Sequence, residues 1–331
     1  MTTSSPSGSA SETAGPTGPT GLILLDKPAG PTSHDCVARV RRLAGVKRVG
    51  HAGTLDPSAT GLLVLGVGRA TRLLTHLVGL DKAYQATIRL GAATTTDDAD
   101  GQVTFEASAA QLPLEDVRKA MRAWRGRVWQ VPSAVSAIKV DGQRAYARVR
   151  SGREVILPAR PVTIERFDLL EWRPLDPFAD LDVLVCCSSG AYVRALARDL
   201  GAELGVGGHL TALRRLRVGP FEVEQARTLE SLADDFRLWP MAWAARQLWP
   251  VRQIGAEEAR RLGHGQCLPA AGQPAAEPPV ESESGGFTAA GRPDGRFRGA
   301  GGVGGIGGGS VAAGGPGAGG LVAAIGPDGQ L

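Results

Sequence analysis

The sequence has few cysteines, no long apolar run and almost no excess charge of either sign. Its four cysteines are Cys36, Cys186, Cys187 and Cys267. Adjacent Cys186 and Cys187 cannot easily pair with each other, and no spacing suggests a zinc site. Neither a disulfide framework nor a structural metal is therefore expected, and reduced thiols fit a cytoplasmic protein. No apolar stretch approaches the ~20 residues of a membrane span. The first residues, rich in Ser, Thr, Gly and Pro, lack the basic start and apolar stretch of a secretory signal, so residues 1–20 read as a disordered tail. With 37 basic against 33 acidic residues the net charge is +4, which by itself announces no partner.

Glycine, by contrast, is abundant: 46 residues, 17 of them between Gly285 and Gly320. The segment 271–320 combines this excess with Pro, Glu and Ser and has too few large apolar side chains to build a core, so it reads as a low-complexity insert. The rest of the chain is globular in composition, and the breaks suggest a main domain over 21–245 and a second unit over 250–331. Local charge is more telling than the total. Arg39, Arg41, Arg42, Lys47 and Arg48 form one basic cluster, and Arg194, Arg198, Arg214, Arg215 and Arg217 another. Either could neutralise phosphates; either could equally be a solvated helix face.

Periodicity places the elements. Gly21 to Leu25 reads as a strand ending at Lys27-Pro28. Thr32 and Asp35 make a capping-box pair ahead of a helix whose apolar face is Cys36, Val37, Val40, Leu43 and Ala44. Strands are predicted over 62–67, 84–90 and 181–187, and helices over 70–80, 114–124 and from near Tyr192. Strands and helices mix without a regular alternating repeat, which predicts an α+β fold with a mixed, mainly antiparallel sheet.

The most informative segment is His51-Ala-Gly-Thr-Leu-Asp56-Pro-Ser-Ala-Thr-Gly61. A single carboxylate sits among small turn-forming residues, just before the apolar run Leu62 to Leu65. Gly53 and Gly61 permit tight turns or close approach, and Pro57 fixes φ immediately after the acid. An isolated Asp-Pro usually caps a turn. Here its neighbours give Asp56 another context. Further blocks occur in order: Gly21 to Ser33, Lys82-Ala-Tyr84, Asp97-Asp98-Ala-Asp100-Gly101, Ser136-Ala-Ile-Lys139, and Ala191-Tyr192-Val193-Arg194-Ala195-Leu196.

These blocks together resemble the bacterial tRNA pseudouridine synthase B family, which modifies the T-loop uridine at position 55 of tRNA. The resemblance spans roughly residues 21 to 221. It implies the pseudouridine synthase fold, a large mixed sheet with a catalytic cleft on one face, followed by a small C-terminal β-barrel-like RNA-binding (PUA-like) domain. The helix opening the second unit and the strand-like end Leu321 to Ile325 look like the first and last pieces of that barrel, which is then either reduced or interrupted by the 271–320 insert. Ser189 and Ala191 stand where the family usually has lysine and threonine, and Val135 where a tyrosine is common.

The implied chemistry breaks the N-glycosidic bond of uridine and rebuilds it from C5 without adding or removing atoms, so no cofactor or metal is required in principle. It does need a carboxylate at the sugar or base, and Asp56 is the implied nucleophile. Arg194 matches the family arginine that pairs with it, opposing the upward pKa shift of burial. A base inside folded RNA must be flipped out and given a stacking surface. Tyr84 matches that surface and is a candidate acceptor for the C5 proton. His51, Lys27, Tyr192 and Lys139 are the implied substrate-binding residues; Lys27 and Lys139 could hold a phosphate or shape the cleft walls. The expected partner is the T-arm stem-loop of tRNA, bound by a monomer. Two other functions compete. A non-catalytic RNA-binding or tRNA-folding protein would use the basic clusters alone. A small-molecule enzyme with an aspartyl nucleophile would want a carboxylate set near Asp56, and Asp97, Asp98 and Asp100 read better as a turn.

Overall fold

The computed structural model describes residues 18–134, 157–269, 321–327 and 331, together with the backbone of two short strands between the first two segments. The low-complexity segment 271–320 and most of the 1–20 tail lie outside the described residues. Two compact units divide at residue 247.

In the first unit the elements run β1 (Gly21–Lys27), α1 (Ser33–Ala44), β2 (Val49–His51), β3 (Thr60–Val67), α2 (Leu74–Val78), β4 (Lys82–Leu90), β5 (Ala92–Thr94), β6 (Val103–Glu106), α3 (Leu114–Ala123) and β7 (Gly126–Gln130). They continue with β8 (Lys139–Val140), β9 (Gln143–Arg144), β10 (Arg160–Leu175), β11 (Phe178–Cys187), α4 (Val193–Glu203), β12 (Gly208–Val218) and β13 (Phe221–Glu222), followed by helices Leu229–Asp234 and Met241–Leu248. The capping box at Thr32 and Asp35 is formed, with Thr32 Oγ1 accepting from the Asp35 N–H at 3.1 Å. The single helix expected over 70–80 is instead a 3-10 turn, Gly68–Arg72, followed by the short α2. Thr71 Oγ1 donates to the Gly68 carbonyl at 2.9 Å, a local bond that competes with a regular helical ladder.

One large sheet has the order β1-β3-β12-β4-β11-β10-β7, with β2 on β3 and β13 on β12. Every pair is antiparallel except β3 and β12, which run parallel where Thr60 faces Arg214 and Gly61 faces Arg215. The sheet is therefore mixed and mainly antiparallel. Alternation along β4 decides its two faces. Tyr84, Ala86, Ile88 and Leu90 join a core with Val117 and Met121 of α3 and Leu196 and Leu200 of α4. The other face is polar, with Thr87 donating to Asp182 at 2.7 Å and Arg89 paired to Asp180 at 2.8 Å. A second core lies between α1 and the β1–β3 edge, built from Ile23, Leu25, Cys36, Val37, Val40, Leu63 and Leu65.

The second unit contains β14 (Val251–Gln253), helix Ala256–Gly263 and β15 (Ala323–Ile325). β14 and β15 pair in parallel, Val251 with Ala323 and Gln253 with Ile325. The two ends of this unit thus meet as strands, but among the described residues they pair only with each other and close no barrel. No helix among the described residues is long and apolar enough to cross a membrane.

Candidate active site

The Asp56 loop connects β2 to β3 and is fixed by side chains from three directions. Gly53 and Gly61 both have positive φ, +91° and +96°, in the region where a side chain is disfavoured. Lys27, at the end of β1, is fully buried and donates to the carbonyls of Pro28, Pro57 and Ala59 at 2.9, 3.0 and 2.7 Å. Two of these carbonyls lie just after Asp56. Ser33, at the start of α1, clamps the residue on the other side. Its Oγ accepts from the Leu55 N–H at 2.9 Å and donates to the Leu55 carbonyl at 3.0 Å. Arg215 of β12 donates from Nη2 to the Gly53 carbonyl at 3.1 Å and from Nε to the Leu62 carbonyl at 2.7 Å. The carboxylate is thereby held on a preformed loop.

The facing wall is the turn after β11 and the first residues of α4. Gln130 of β7 is buried and grips Tyr192 through both amide atoms: Oε1 accepts from the Tyr192 N–H at 2.8 Å, and Nε2 donates to its carbonyl at 3.1 Å. That fixes where α4 begins. Arg194, two residues on, is buried, with Nε 3.2 Å from Asp56 Oδ2 and Nη1 3.2 Å from Asp98 Oδ2. Nη1 also donates to the Thr96 carbonyl at 3.0 Å. A cavity of about 260 Å³ opens between the two walls, lined by Asp56, Lys82, Tyr84, Tyr192, Arg194 and Arg215, among others.

Electrostatics follow from this enclosure. Loss of solvent pushes the Asp56 carboxyl above its ordinary value; the Arg194 guanidinium opposes this, and Asp98 and Asp100 add to it. Burial likewise raises the Tyr84 hydroxyl, with Arg215 acting in the opposite direction. Lys82 is pulled down to about 8, first by burial and then by repulsion from Arg215. The site can thus hold a carboxylate against a guanidinium beside an aromatic ring, in a space suited to one small planar group.

Of the residues singled out in the sequence, Asp56, Arg194, Tyr84 and Tyr192 converge on this cavity. Lys27 does not reach it. Its three N–H donors are consumed by carbonyls, so it shapes the wall and has none left to hold a phosphate. His51 lies outside the cavity wall, opposite Leu65 in the β2–β3 ladder, with its ring edge-on to His34 at 5.6 Å. Lys139 belongs to β8, but its side chain, with most of the Ser136 to Lys139 block, lies outside the described residues. The basic cluster from Arg194 to Arg217 is engaged within the protein. Arg214 and Arg217 pair with Asp26 and Asp81, Arg198 with Asp97 and Asp199, and Arg194 and Arg215 are buried. Asp97, Asp98 and Asp100 do form a turn, closed by the Gly101 N–H donating to the Asp98 carbonyl at 3.2 Å. No group among the described residues gathers three potential metal ligands. Ser33, Lys82, Asp98, Gln130 and Arg215 emerge as site residues only from the folded geometry. Each acts on a partner distant in sequence, except Lys82, which a place two residues before Tyr84 in a strand marks as sharing its face.

Comparison with known proteins agrees with this architecture. Residues 41–193 match the TruB family pseudouridylate synthase N-terminal domain, and residues 194–251 the tRNA pseudouridylate synthase B C-terminal domain. The chain is 58% identical over 260 residues to tRNA pseudouridine synthase B of Arthrobacter sp. (strain FB24), covering 78% of this chain and 85% of that one. It is 56% identical over 256 residues to the protein of the same name from Thermobifida fusca (strain YX), covering 76% and 87%. Among solved structures, a chain of a Cbf5-Nop10-Gar1 complex aligns with a TM-score of 0.58 at 28% identity, covering 74% of this chain and 67% of that one. A chain of an H/ACA RNP bound to a substrate RNA containing 2′-deoxyuridine aligns with a TM-score of 0.57 at 26% identity, covering 75% and 67%. The order of the sheet, the enclosed aspartate–arginine pair and these matches agree: the chain belongs to the TruB family of pseudouridine synthases.

Proposed function

We propose that this protein isomerises the T-loop uridine at position 55 of tRNA to pseudouridine, with Asp56 as the nucleophile. The observation that carries the reading is the ion pair between Asp56 and buried Arg194 at a cavity with Tyr84 in its wall. Binding RNA phosphates alone would not require a carboxylate held in place by Lys27, Ser33 and Arg194, which counts against a purely RNA-binding role. In the reaction, the flipped base enters the cavity and stacks on Tyr84. Asp56 reacts at C1′ as the bond to N1 breaks, Arg194 keeps it ionised, and the ring turns to present C5. Tyr84 is the candidate acceptor for the C5 proton. His51 contacts the RNA outside the cavity, Lys139 is a further RNA-binding candidate, and the exposed cluster Arg39, Arg41, Arg42, Lys47 and Arg48 meets phosphates. The protein acts as a cytoplasmic monomer on the T-arm.

The test is conversion of a T-arm stem-loop by purified protein without added metal or nucleotide, beside the Asp56→Asn variant. Asparagine keeps size and turn geometry and removes the charge, so turnover should fall by several orders of magnitude with RNA affinity nearly intact. Near-wild-type conversion by Asp56→Asn would remove Asp56 from the mechanism.

A further inference from the structure

Two cations in the cavity wall, Lys82 and Arg215, have no carboxylate partner among the described residues. Lys82 opens β4, and Arg215 stands opposite Tyr84 in the β12–β4 ladder. Both line the cavity, with 8% and 1% of their surface exposed. Their hydrogen-bond acceptors are backbone carbonyls and, for Arg215, the Tyr84 hydroxyl as well. Lys82 Nζ donates to Val78 and Leu80 at 3.1 and 2.7 Å, and Arg215 to Leu62 and Gly53. Asp81, the acid next to Lys82, is taken by Arg217 at 2.5 Å. Buried charge is normally neutralised by a partner, yet these two cations share one wall, and burial first, with repulsion from Arg215 second, holds the Lys82 ammonium below its ordinary value. Lysine has three donors and uses two here; the guanidinium has five and uses two on carbonyls. Carbonyl bonding of this kind explains how the cations are tolerated. It leaves unexplained why two positive charges sit at a cavity whose one lining carboxylate, Asp56, is already paired to Arg194.

The reaction supplies the missing charge. When the C1′–N1 bond breaks heterolytically, its electron pair leaves with the base, and the ring carries a negative charge spread over N1 and the carbonyl oxygens. Asp56 takes up C1′. Attack of C5 on C1′ then uses the ring's charge and expels the Asp56 carboxylate with the C1′–O electron pair, a proton leaves C5, and N1 gains a proton, so atoms and electrons balance. We propose that Lys82 and Arg215 form an electrostatic site for the negative charge on the detached uracil ring, an inference that rests on the isomerase reading above. The arrangement meets the requirement for such a site: fixed donors in an enclosed space, oriented before the charge appears.

The experiment uses the full chain and two T-arm stem-loops, one with uridine and one with 5-fluorouridine at the target position. Fluorine withdraws electrons and stabilises the ring anion by itself, so it should partly replace the protein's cations. Single-turnover loss of the starting nucleoside and RNA affinity would be measured for the parent, Lys82→Met, Lys82→Gln and Lys82→Arg. We expect Lys82→Met and Lys82→Gln to slow uridine consumption on the order of a hundredfold, with affinity within about threefold. The defect should shrink at least tenfold on the 5-fluorouridine RNA, and Lys82→Arg should recover part of the rate. An equal defect on both RNAs, or a loss confined to affinity, would show that Lys82 only holds the end of α2. If the parent converts uridine and Lys82→Met does so equally well, this inference alone fails. If the parent converts no uridine, the isomerase reading fails with it.

Discussion

Arg194 divides its guanidinium between two carboxylates, Nε lying 3.2 Å from Asp56 and Nη1 3.2 Å from Asp98. Asp56 is 40% exposed at its side chain and Asp98 14%. The outer acid is the more open of the two, and the inner one gives the arginine a second, better-shielded partner.

Asp98→Asn should therefore separate two effects. Asp98 helps hold the Asp56 carboxyl above its ordinary value; removing that negative charge favours ionised Asp56. The acid limb of the single-turnover pH profile should move to lower pH. The plateau should fall roughly tenfold, because the guanidinium loses an orienting partner. An acid limb that stays put or moves upward would contradict the coupling.

Tyr84→Phe and Tyr84→Leu divide the roles of the tyrosine. Phenylalanine keeps the ring face and loses the hydroxyl; leucine loses both. If the ring stacks on the flipped base, Phe should bind the stem-loop within about threefold of the parent and Leu about tenfold worse, in line with the roughly 1–3 kcal/mol attributed to base–aromatic stacking. Equal affinities would remove the stacking role. Loss of turnover in Tyr84→Phe with intact binding would support proton transfer by the hydroxyl.

Gly61→Ala should be far more damaging than Gly30→Ala. Both positions have positive φ, +96° and +107°. A Cβ on Gly61 would lie 2.2 Å from the Arg215 carbonyl oxygen, whereas one on Gly30 meets nothing within 4 Å. Gly30→Ala should cost about 1–2 kcal/mol from backbone strain alone, and Gly61→Ala above ~3 kcal/mol or loss of folding. Urea denaturation of the two variants would show the order.

Lys82 links the site to alkaline stability. Its folded value of about 8 lies below the ordinary 10.5, so between these values the unfolded chain binds more protons and stability rises with pH. Below pH about 8 the buried ammonium costs up to ~3 kcal/mol by the size of that shift. Lys82→Met removes this cost, and its stability relative to the parent should be best near pH 7 and worsen towards pH 10 by about that amount. A pH-independent difference in denaturation midpoint would mean that Lys82 titrates near its ordinary value in the folded protein.

How much of this was readable in the sequence depends on the reach of each contact. The Thr32–Asp35 box, the glycines around Asp56 and the alternation of Tyr84, Ala86, Ile88 and Leu90 are local patterns, and each appears in the fold. Arg194 was legible because its neighbours carry the family block. Ser33, Gln130 and Arg215 were not, since they act across 22, 62 and 162 residues of chain, and no local spacing encodes such partners. Lys27 drew attention as a cation, but whether its ammonium faces a phosphate or a carbonyl is decided by burial. The 70–80 helix fails at Thr71, where a side-chain bond competes with the ladder.

The triple grip of Lys27 on Pro28, Pro57 and Ala59 has a consequence for which uridines are modified. With Ser33 clamping Leu55 on the preceding side, the loop is pinned on both sides of Asp56, and a loop so held would leave the conformational work of an encounter to the RNA. Selection among uridines then becomes partly mechanical. On that reading, a loop of RNA that yields its nucleotide cheaply would be favoured over a stiffer one of the same sequence, and discrimination would rest on the compliance of the substrate as well as on its letters.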